Sequence, residues 1–223
     1  MVLSGLSLRV RERKGGRTVR TSLAATLILA AAARAADVAG HYRLQNVREM
    51  GSELLLRPDG QFEFFLAYGA ADYWAKGTWQ TQEGTVILNT GGEPKPPFRI
   101  VNSSGTQSEG VRVFVAGSGG RPVPNIDVVL EGAGGPTQAR TDSAGVAHFA
   151  QIQGLRSATF RIRVYQFESE PMALNPAHNE FRFEIDGREI TQVRFRNERL
   201  TSNGNTLVLR HWGVDHPMQY SRE

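Results

Sequence analysis

The sequence contains no cysteine and few lysines. None of its 223 residues is cysteine, which excludes disulfide bonds, thiolate zinc sites, a thiol nucleophile and lipid attachment through an N-terminal cysteine. The fold must therefore be stabilised by an apolar core, which is feasible at this length. Beyond residue 36 the only lysines are Lys76 and Lys95, and no segment there has a long apolar period of 3.6 residues. We predict an all-β fold.

Positive charge is also scarce once the first 36 residues are set aside. The whole chain has 26 Lys and Arg, 22 Asp and Glu, and a formal net charge of +4. Residues 1–36 hold seven of these bases and one acid, so the rest of the chain has 19 bases, 21 acids and a net charge of −2. That balance does not provide the basic surface that nucleic-acid binding requires. We therefore expect no nucleic-acid partner.

Residues 1–36 have the organisation of a secretory signal peptide. A basic segment is followed by eleven residues of mainly apolar character at 23–33, and then by Ala33-Arg34-Ala35, a small-x-small cleavage pattern. Eleven residues reach about half-way across a bilayer core, so we expect no stable membrane span after cleavage. There is no Arg-Arg pair for a twin-arginine route. We predict an N-terminal Sec-type signal helix and a periplasmic or secreted bacterial protein.

Short apolar runs separated by turn signals dominate the rest of the chain and predict strands. In the clearest hairpin, Pro58-Asp59-Gly60 supplies the turn because proline presets φ and glycine accepts a positive φ. A second hairpin is predicted around residues 186–188, with strands at 180–185 and 189–195.

Breaks rich in glycine, proline and polar residues divide the chain. The predicted units are an N-terminal antiparallel β domain, a central β unit and C-terminal β hairpins, at 37–101, 110–166 and 175–223. The sequence leaves open whether the C-terminal hairpins pair with residues 37–101 or stand apart from them.

The central unit carries the motifs of a known sandwich family. A predicted strand at 111–115 is followed by G-x-P-x-P-x-x-x-V at 120–128 and by T-D-x-x-G-x-x-x-F at 141–149. This pattern resembles the carboxypeptidase regulatory-like, transthyretin-like β-sandwich over residues 110–166. The resemblance implies an accessory module and not a catalytic unit. The Tyr-Arg-Gly-Ser ending of the related hydrolase of purine breakdown is missing, and no lysine lies within the segment for the isopeptide link of related adhesin domains.

The flanking segments resemble the two ends of an uncharacterised family of exported bacterial β proteins. The resemblance rests on residues at 40–44, 52–62, 68–72, 77–79 and 218–222. It implies antiparallel barrel- or sandwich-like β segments on either side of the central sandwich, faintly similar to lipocalins. It implies no activity.

The densest aromatic group of the chain lies between residues 62 and 79. Phe62 and Phe64 alternate with other residues and are expected in the core. Tyr73 and Trp74 are neighbours on opposite faces of a strand, so one of them points outward. Tyr68 lies at a predicted loop. We predict ligand contacts from Tyr68, Tyr73 and Trp74, because aromatic rings on a β surface stack on sugars or line apolar pockets.

Few residues are arranged to hold a metal or a cofactor. The compact group of His211, Asp215 and His216 is a weak candidate for a divalent metal site, and we favour a surface turn instead. We expect no cofactor.

Catalytic patterns are also few. The serines at 103, 104 and 108 have no histidine beside them in the sequence, so a serine nucleophile is not supported. Glu63 and Asp72 would suit glycoside hydrolysis if they faced one another across a hairpin, but a solvent face and a turn are the simpler interpretations. We therefore expect a protein that is not an enzyme.

Three functions remain open from the sequence. We favour an exported, non-catalytic binding or scaffolding protein of the bacterial envelope, with a protein or glycan partner and with β-edge pairing as one mode of binding. The alternative is a lipocalin-like carrier of a small apolar ligand or glycan, which a filled core in the N-terminal unit would oppose. The third is a hydrolase. The sequence does not determine the oligomeric state.

Overall fold

The computed structural model describes residues 37–210 and 217–223. Within these ranges the chain forms strands β1 to β17, one short helix and one 3-10 turn. The predicted all-β class is confirmed. The predicted signal helix lies outside the described residues. In the part of the chain that the structure describes, no helix has the length and hydropathy of a transmembrane segment.

Eight of the strands close into an antiparallel barrel. They are β1 (Gly40–Leu44), β2 (Met50–Leu56), β3 (Gln61–Tyr68), β4 (Ala71–Gln82), β5 (Thr85–Thr90), β15 (Glu198–Asn203), β16 (Thr206–Leu209) and β17 (Met218–Arg222). Their order around the barrel is β1-β17-β16-β15-β5-β4-β3-β2. The barrel closes where Tyr42 on β1 pairs with Arg222 on β17. The last three strands thus complete the N-terminal sheet.

The lumen of the barrel is a packed apolar core. Alternation along the strands turns one side chain in two inward, as in Phe62, Phe64 and Leu66 on β3. Leu88 and Leu200 are fully buried. No water-sized void therefore adjoins them. Phe195, from the segment before β15, adds its ring to this core at 5.1 Å from that of Phe64.

Polar groups in the barrel core have hydrogen-bond partners. The Ser52 hydroxyl donates to the carbonyl of Phe65 at 2.7 Å. Its oxygen therefore accepts from the Tyr220 hydroxyl, 2.8 Å away. The indole N–H of Trp79 donates to the carbonyl of Arg57 at 2.9 Å. The barrel thus buries these groups without an unpaired donor.

The remaining nine strands form a β-sandwich inserted between β5 and β15. They are β6 (Phe98–Ser104), β7 (Val111–Gly117), β8 (Asp127–Gly132), β9 (Gly135–Arg140), β10 (Val146–Phe149), β11 (Ser157–Ile162), β12 (Phe167–Glu168), β13 (Met172–Ala173) and β14 (Glu180–Ile185). One sheet has the order β10-β7-β14-β6, and the other has the order β12-β11-β8-β9 with β13 also on β11. Phe160 lies between them, stacked on Phe98 at 4.3 Å and edge-on to Phe183 at 4.7 Å.

The sandwich extends beyond the predicted central unit. β6 was expected in the N-terminal domain and β14 in the C-terminal hairpins, but both belong to the same sandwich sheet. Phe181, Phe183 and Ile185 on β14 are buried. Their burial requires a layer that covers one face of the strand, which the second sheet of the sandwich provides. β14 lies between β6 and β7, parallel to β7. β15, β16 and β17 join the barrel instead.

The hairpin predicted around residues 186–188 is wrong, because its second half is not a strand. Residues there form the helix α1 (Gly187–Thr191). The Asp186 carboxylate accepts a hydrogen bond from the backbone N–H of Arg188 at 3.0 Å and caps the helix. Beyond the helix, the N–H of Val193 donates to the carbonyl of Trp74 at 2.8 Å. Capping and contact with the barrel therefore override the strand-like alternation of this segment.

Candidate functional site

A cleft of about 1130 Å³ lies where the outer surface of the barrel meets one end of the sandwich. The barrel contributes residues from β3 and β4, and the sandwich contributes two turns and α1. The lining residues are Phe65, Asp72, Tyr73, Trp74, Lys76, Ser118, Tyr165, Asp186, Gly187, Arg188 and Thr191.

Direct contacts hold the two walls of the cleft together. The ring of Tyr73 on β4 meets the ring of Tyr165, in the turn after β11, edge-on with centroids 5.8 Å apart. One strand position further, Trp74 forms an isolated bridge with Gln192, next to the Val193 hydrogen bond. The width of the cleft is therefore set by packing between barrel and sandwich.

An outward-facing aromatic pair forms the barrel wall of the cleft. Phe65 on β3 lies directly opposite Trp74 on β4, and such cross-strand pairs bring side chains into contact distance. Phe65 is 46% exposed and Trp74 is half-buried. The pair presents apolar ring surface to solvent on the outside of a barrel whose own lumen is filled.

Charged groups of both signs surround the aromatic pair. Asp72 and Lys76 flank Trp74 on the same outward face of β4, and the Lys76 ammonium lies 3.1 Å from the Glu63 carboxylate. On the opposite wall, Asp186 and Arg188 are exposed at the start of α1. A ligand in the cleft would meet hydrogen-bond donors and acceptors at the edges of an aromatic floor.

The three predicted ligand contacts have different positions. Tyr73 and Trp74 line the cleft, with Tyr73 packed against the barrel core and Trp74 facing outward. Tyr68 is the last residue of β3, is 56% exposed, and is not among the residues that line the cleft. Ligand binding by these side chains stays a prediction.

Two lining aromatics were not predicted as contacts. Phe65 had a signal in the sequence, because it breaks the apolar alternation of β3 and so falls on the outward face. Tyr165 had none, since it reaches the cleft from a turn of the sandwich that is distant in sequence. Its role follows only from the way the sandwich meets the barrel.

The suggested facing pair of Glu63 and Asp72 is wrong. The strand register places Glu63 opposite Lys76 and Asp72 opposite Ala67, four residues further along β3. Glu63 also forms ion pairs with Arg57 and Lys76. The hydrogen bond from Lys76 is the largest cause that holds the pKa of Glu63 below its usual value, which suits a structural ion pair and not a proton donor.

The structure brings together a serine and a histidine that are far apart in the sequence. The Oγ of Ser103 on β6 is 2.8 Å from Nδ1 of His178, and Nε2 of His178 is 3.4 Å from the Asn175 amide. In a catalytic triad a carboxylate orients the histidine. Among the described residues no carboxylate bonds to His178, so the pair lacks that group.

No metal centre is formed by the described residues, in which three or more His, Asp or Glu side chains do not converge. The candidate ligands His211, Asp215 and His216 lie outside the described ranges.

Comparisons of this chain with protein-family models, with curated proteins and with solved structures find no match. The chemistry of the cleft is therefore the basis for assigning a function.

Proposed function

We propose that this protein is an exported, non-catalytic binding protein of the bacterial envelope, and that the cleft between barrel and sandwich binds a glycan. The observation that carries this proposal is the outward pair of Phe65 and Trp74 with charged groups at its edges. Aromatic faces stack on the apolar faces of sugars, and the surrounding polar groups bond to hydroxyls. The volume exceeds that of drug-sized ligand sites and suits a short oligosaccharide.

Export and the type of sandwich are parts of the same proposal. The signal-peptide pattern of residues 1–36 supports a Sec-dependent route to the periplasm or the outside of the cell. The transthyretin-like assignment of the sandwich is supported by its motif residues. The carboxylate of Asp142 accepts hydrogen bonds from the N–H groups of Ala144 and Val146 at 2.9 and 3.0 Å, and Gly145 in this turn has φ +73°.

The carboxylates of the cleft favour binding over hydrolysis. Asp72 and Asp186 are exposed to solvent, and Asp186 already caps α1. A general acid at neutral pH is normally enclosed by apolar groups or placed beside another carboxylate. Because Asp72 and Asp186 are exposed to solvent and not enclosed by apolar groups, a hydrolase is the less supported alternative.

The lipocalin-like alternative is also less supported. Such a carrier would hold its ligand inside the barrel. The lumen residues are packed to near-zero exposure, and Phe195 fills the space beside Phe62 and Phe64. An apolar ligand in the lumen would have to displace this core.

Scaffolding through a strand edge is a second candidate function. β6 ends its sheet, and within the described residues no strand pairs with its outer edge. Ile100 and Val101 on this strand are exposed, and Val101 has no partner on β14 because the register shifts there. An open edge with exposed apolar side chains suits the addition of an extended strand from a protein partner.

Titration with defined oligosaccharides tests the glycan proposal. N-acetylglucosamine and glucose tetramers are the probes, and isothermal calorimetry reports affinity. We expect saturable binding of at least one tetramer and a loss of about ten-fold for Trp74→Ala, from the removed stacking surface. Tyr68→Ala is the matched control, because it removes an exposed aromatic of the same barrel outside the cleft.

Two outcomes would contradict this assignment. One is an absence of saturable binding to either tetramer by the unaltered protein. The other is an equal loss of affinity in Trp74→Ala and Tyr68→Ala, which would place the ligand elsewhere on the barrel. Release of shorter sugars from a bound tetramer, abolished by Asp72→Asn, would instead support the hydrolase.

A further inference from the structure

A second cavity, of about 590 Å³, opens at the end of the sandwich beside the glycan cleft. Its floor is made by Ile126, Ile162 and Ile185, which are buried at the ends or approaches of strands from both sheets. Ile190 of α1 forms part of a wall and Val164 is an exposed apolar residue at the cavity. The cavity therefore has an apolar base at the end of the sandwich, and its size is typical for small-molecule sites.

Two arginines supply the formal charges of this cavity. Arg140 and Arg163 line it, and no Asp or Glu is among the described residues that do so. Both guanidinium groups bond through Nε to Asp127, at 2.7 and 2.6 Å. The Asp127 side chain is only 4% exposed and compensates one of the two positive charges. One positive charge is left over at a cavity that no described acidic side chain lines.

The bonds to Asp127 orient the arginines and leave donors available. The Arg163 side chain bonds to Asp127 through Nε alone and forms no other hydrogen bond among the described residues, so both of its Nη atoms are free to donate. Arg140 uses Nε and Nη2 for the same carboxylate. Guanidinium groups bind carboxylates through paired N–H donors, and a fixed side chain loses less entropy on binding.

We propose that this cavity binds an alkyl carboxylate, with the chain against the isoleucines at the end of the sandwich and the carboxylate on Arg163 and Arg140. An aliphatic tail matches the isoleucine floor, since burying methylene groups against apolar side chains is favourable. A single anionic head group matches the single uncompensated positive charge. This site is separate in chemistry from the glycan cleft, although Ser118, Tyr165, Gly187 and Thr191 border both cavities.

Calorimetric titration of the full chain with dodecanoate, below its micelle concentration, tests the proposal. We expect saturable one-to-one binding, and dodecan-1-ol, which has the same tail without the charge, should bind about ten-fold more weakly. Arg163→Gln should weaken dodecanoate binding by about ten-fold and leave dodecan-1-ol binding unchanged. Arg163 is largely exposed, so this variant is expected to fold.

Arg161→Gln is the matched control for charge. Arg161 lies near the end of β11, two residues before Arg163, but it bonds to Glu168 at 2.9 Å and does not line the cavity. A loss of affinity in Arg161→Gln equal to that in Arg163→Gln would mean a general charge effect and would overturn the proposal. Equal affinity for acid and alcohol, or no saturable binding of dodecanoate, would overturn it as well.

The proposal of an alkyl-carboxylate site and the proposal of a glycan cleft can be tested independently. Trp74→Ala should leave dodecanoate binding unchanged, because Trp74 does not line the apolar cavity. Val164→Asp should reduce it by placing a negative charge at the cavity, while oligosaccharide binding persists. If both probes instead lose affinity in either variant, the two cavities act as one site and the proposal of a separate alkyl-carboxylate site is wrong.

Discussion

In the barrel every strand has a hydrogen-bonded neighbour on both sides, whereas the sandwich ends its sheets at β6, β9, β10, β12 and β13. Closure of the barrel removes all edges and leaves a lumen filled with side chains. The sandwich keeps open edges and a cavity at one end. The comparison shows why every candidate site lies outside the lumen: one on the outer face of the barrel, one at the end of the sandwich and one at its edge.

The largest effect is expected from opening the core of the sandwich. Phe160 is fully buried between the rings of Phe98 and Phe183, so Phe160→Ala should lower the free energy of unfolding by about 3–5 kcal/mol. Urea denaturation measures the loss, and amide hydrogen exchange shows whether barrel strands keep their protection. Phe65→Ala, an exposed aromatic, should cost less than about 1 kcal/mol. A small effect at Phe160 would mean that the sandwich is not tightly packed.

The buried hydroxyl pair of the barrel predicts a loss of stability at alkaline pH. Burial raises the pKa of the Tyr220 phenol well above its usual value. Above about pH 10 the unfolded chain loses this proton while the folded chain retains it, so stability falls as pH rises. Tyr220→Phe should remove part of this alkaline loss and cost about 1 kcal/mol at neutral pH through the lost bond to Ser52.

Denaturation of both proteins at pH 7 and at about pH 11 measures this effect. Tyr42 also has a raised pKa, mainly from burial, so some alkaline sensitivity should remain in the variant. Identical pH profiles for the two proteins would show that Tyr220 ionises as readily in the folded chain as in the unfolded one.

The buried carboxylate of the sandwich predicts the opposite pH dependence. The hydrogen bond from Arg140, followed by that from Arg163, holds the pKa of Asp127 below its usual value. Its contribution is present above about pH 4 and is lost as pH falls further, because the unfolded chain takes up the proton first. Asp127→Asn should cost about 1–2 kcal/mol at pH 7 and less at pH 3.

Glu168→Gln provides the comparison for Asp127, because Glu168 pairs with Arg161 at the surface. This variant should lose less than about 0.5 kcal/mol at either pH. Denaturant midpoints of the two variants at pH 7 and pH 3 distinguish a buried pair from an exposed one. An equal loss in both would contradict the special position of Asp127.

The smallest effect on stability is expected at the open edge of the sandwich. Replacing Ile100 and Val101 by lysine should change the free energy of unfolding by about 0.5 kcal/mol or less, because both side chains are exposed. The same change should abolish strand addition at β6, since charged residues protect sheet edges. Crosslinking and co-purification from cells that produce the protein measure this, and an unaltered set of partners would remove β6 as the docking edge.

The strands were largely predictable from the sequence, and their partners were not. The turn at Pro58-Asp59-Gly60 is present between β2 and β3, with Gly60 at φ +81° and the Asp59 carboxylate bonded to the N–H of Gln61. β14 was recognised as a strand, but its sheet was not, because alternation indicates which face is buried and not which strand covers it. Strand pairing across the chain is a tertiary property.

The candidate sites were partly predictable, because alternation indicates which side chains face outward but not which other segments they meet. Alternation showed that one of Tyr73 and Trp74 faces outward, and the structure identifies Trp74 as the outward one. The cleft itself depends on Tyr165 and α1 from the sandwich, which local sequence patterns cannot place. The contact between Ser103 and His178 likewise joins residues that are 75 positions apart in the sequence.

Pairing of β1 with β17 has a consequence for the folding of the newly synthesised chain. A chain emerges from the ribosome with its N-terminal end first, so β1 to β5 are made long before the strand that seals them. The sandwich between them is complete while the barrel still lacks β15, β16 and β17. Such long-range pairing is slow, and until β17 pairs with β1, the first five strands remain an open sheet that a chaperone would have to shield.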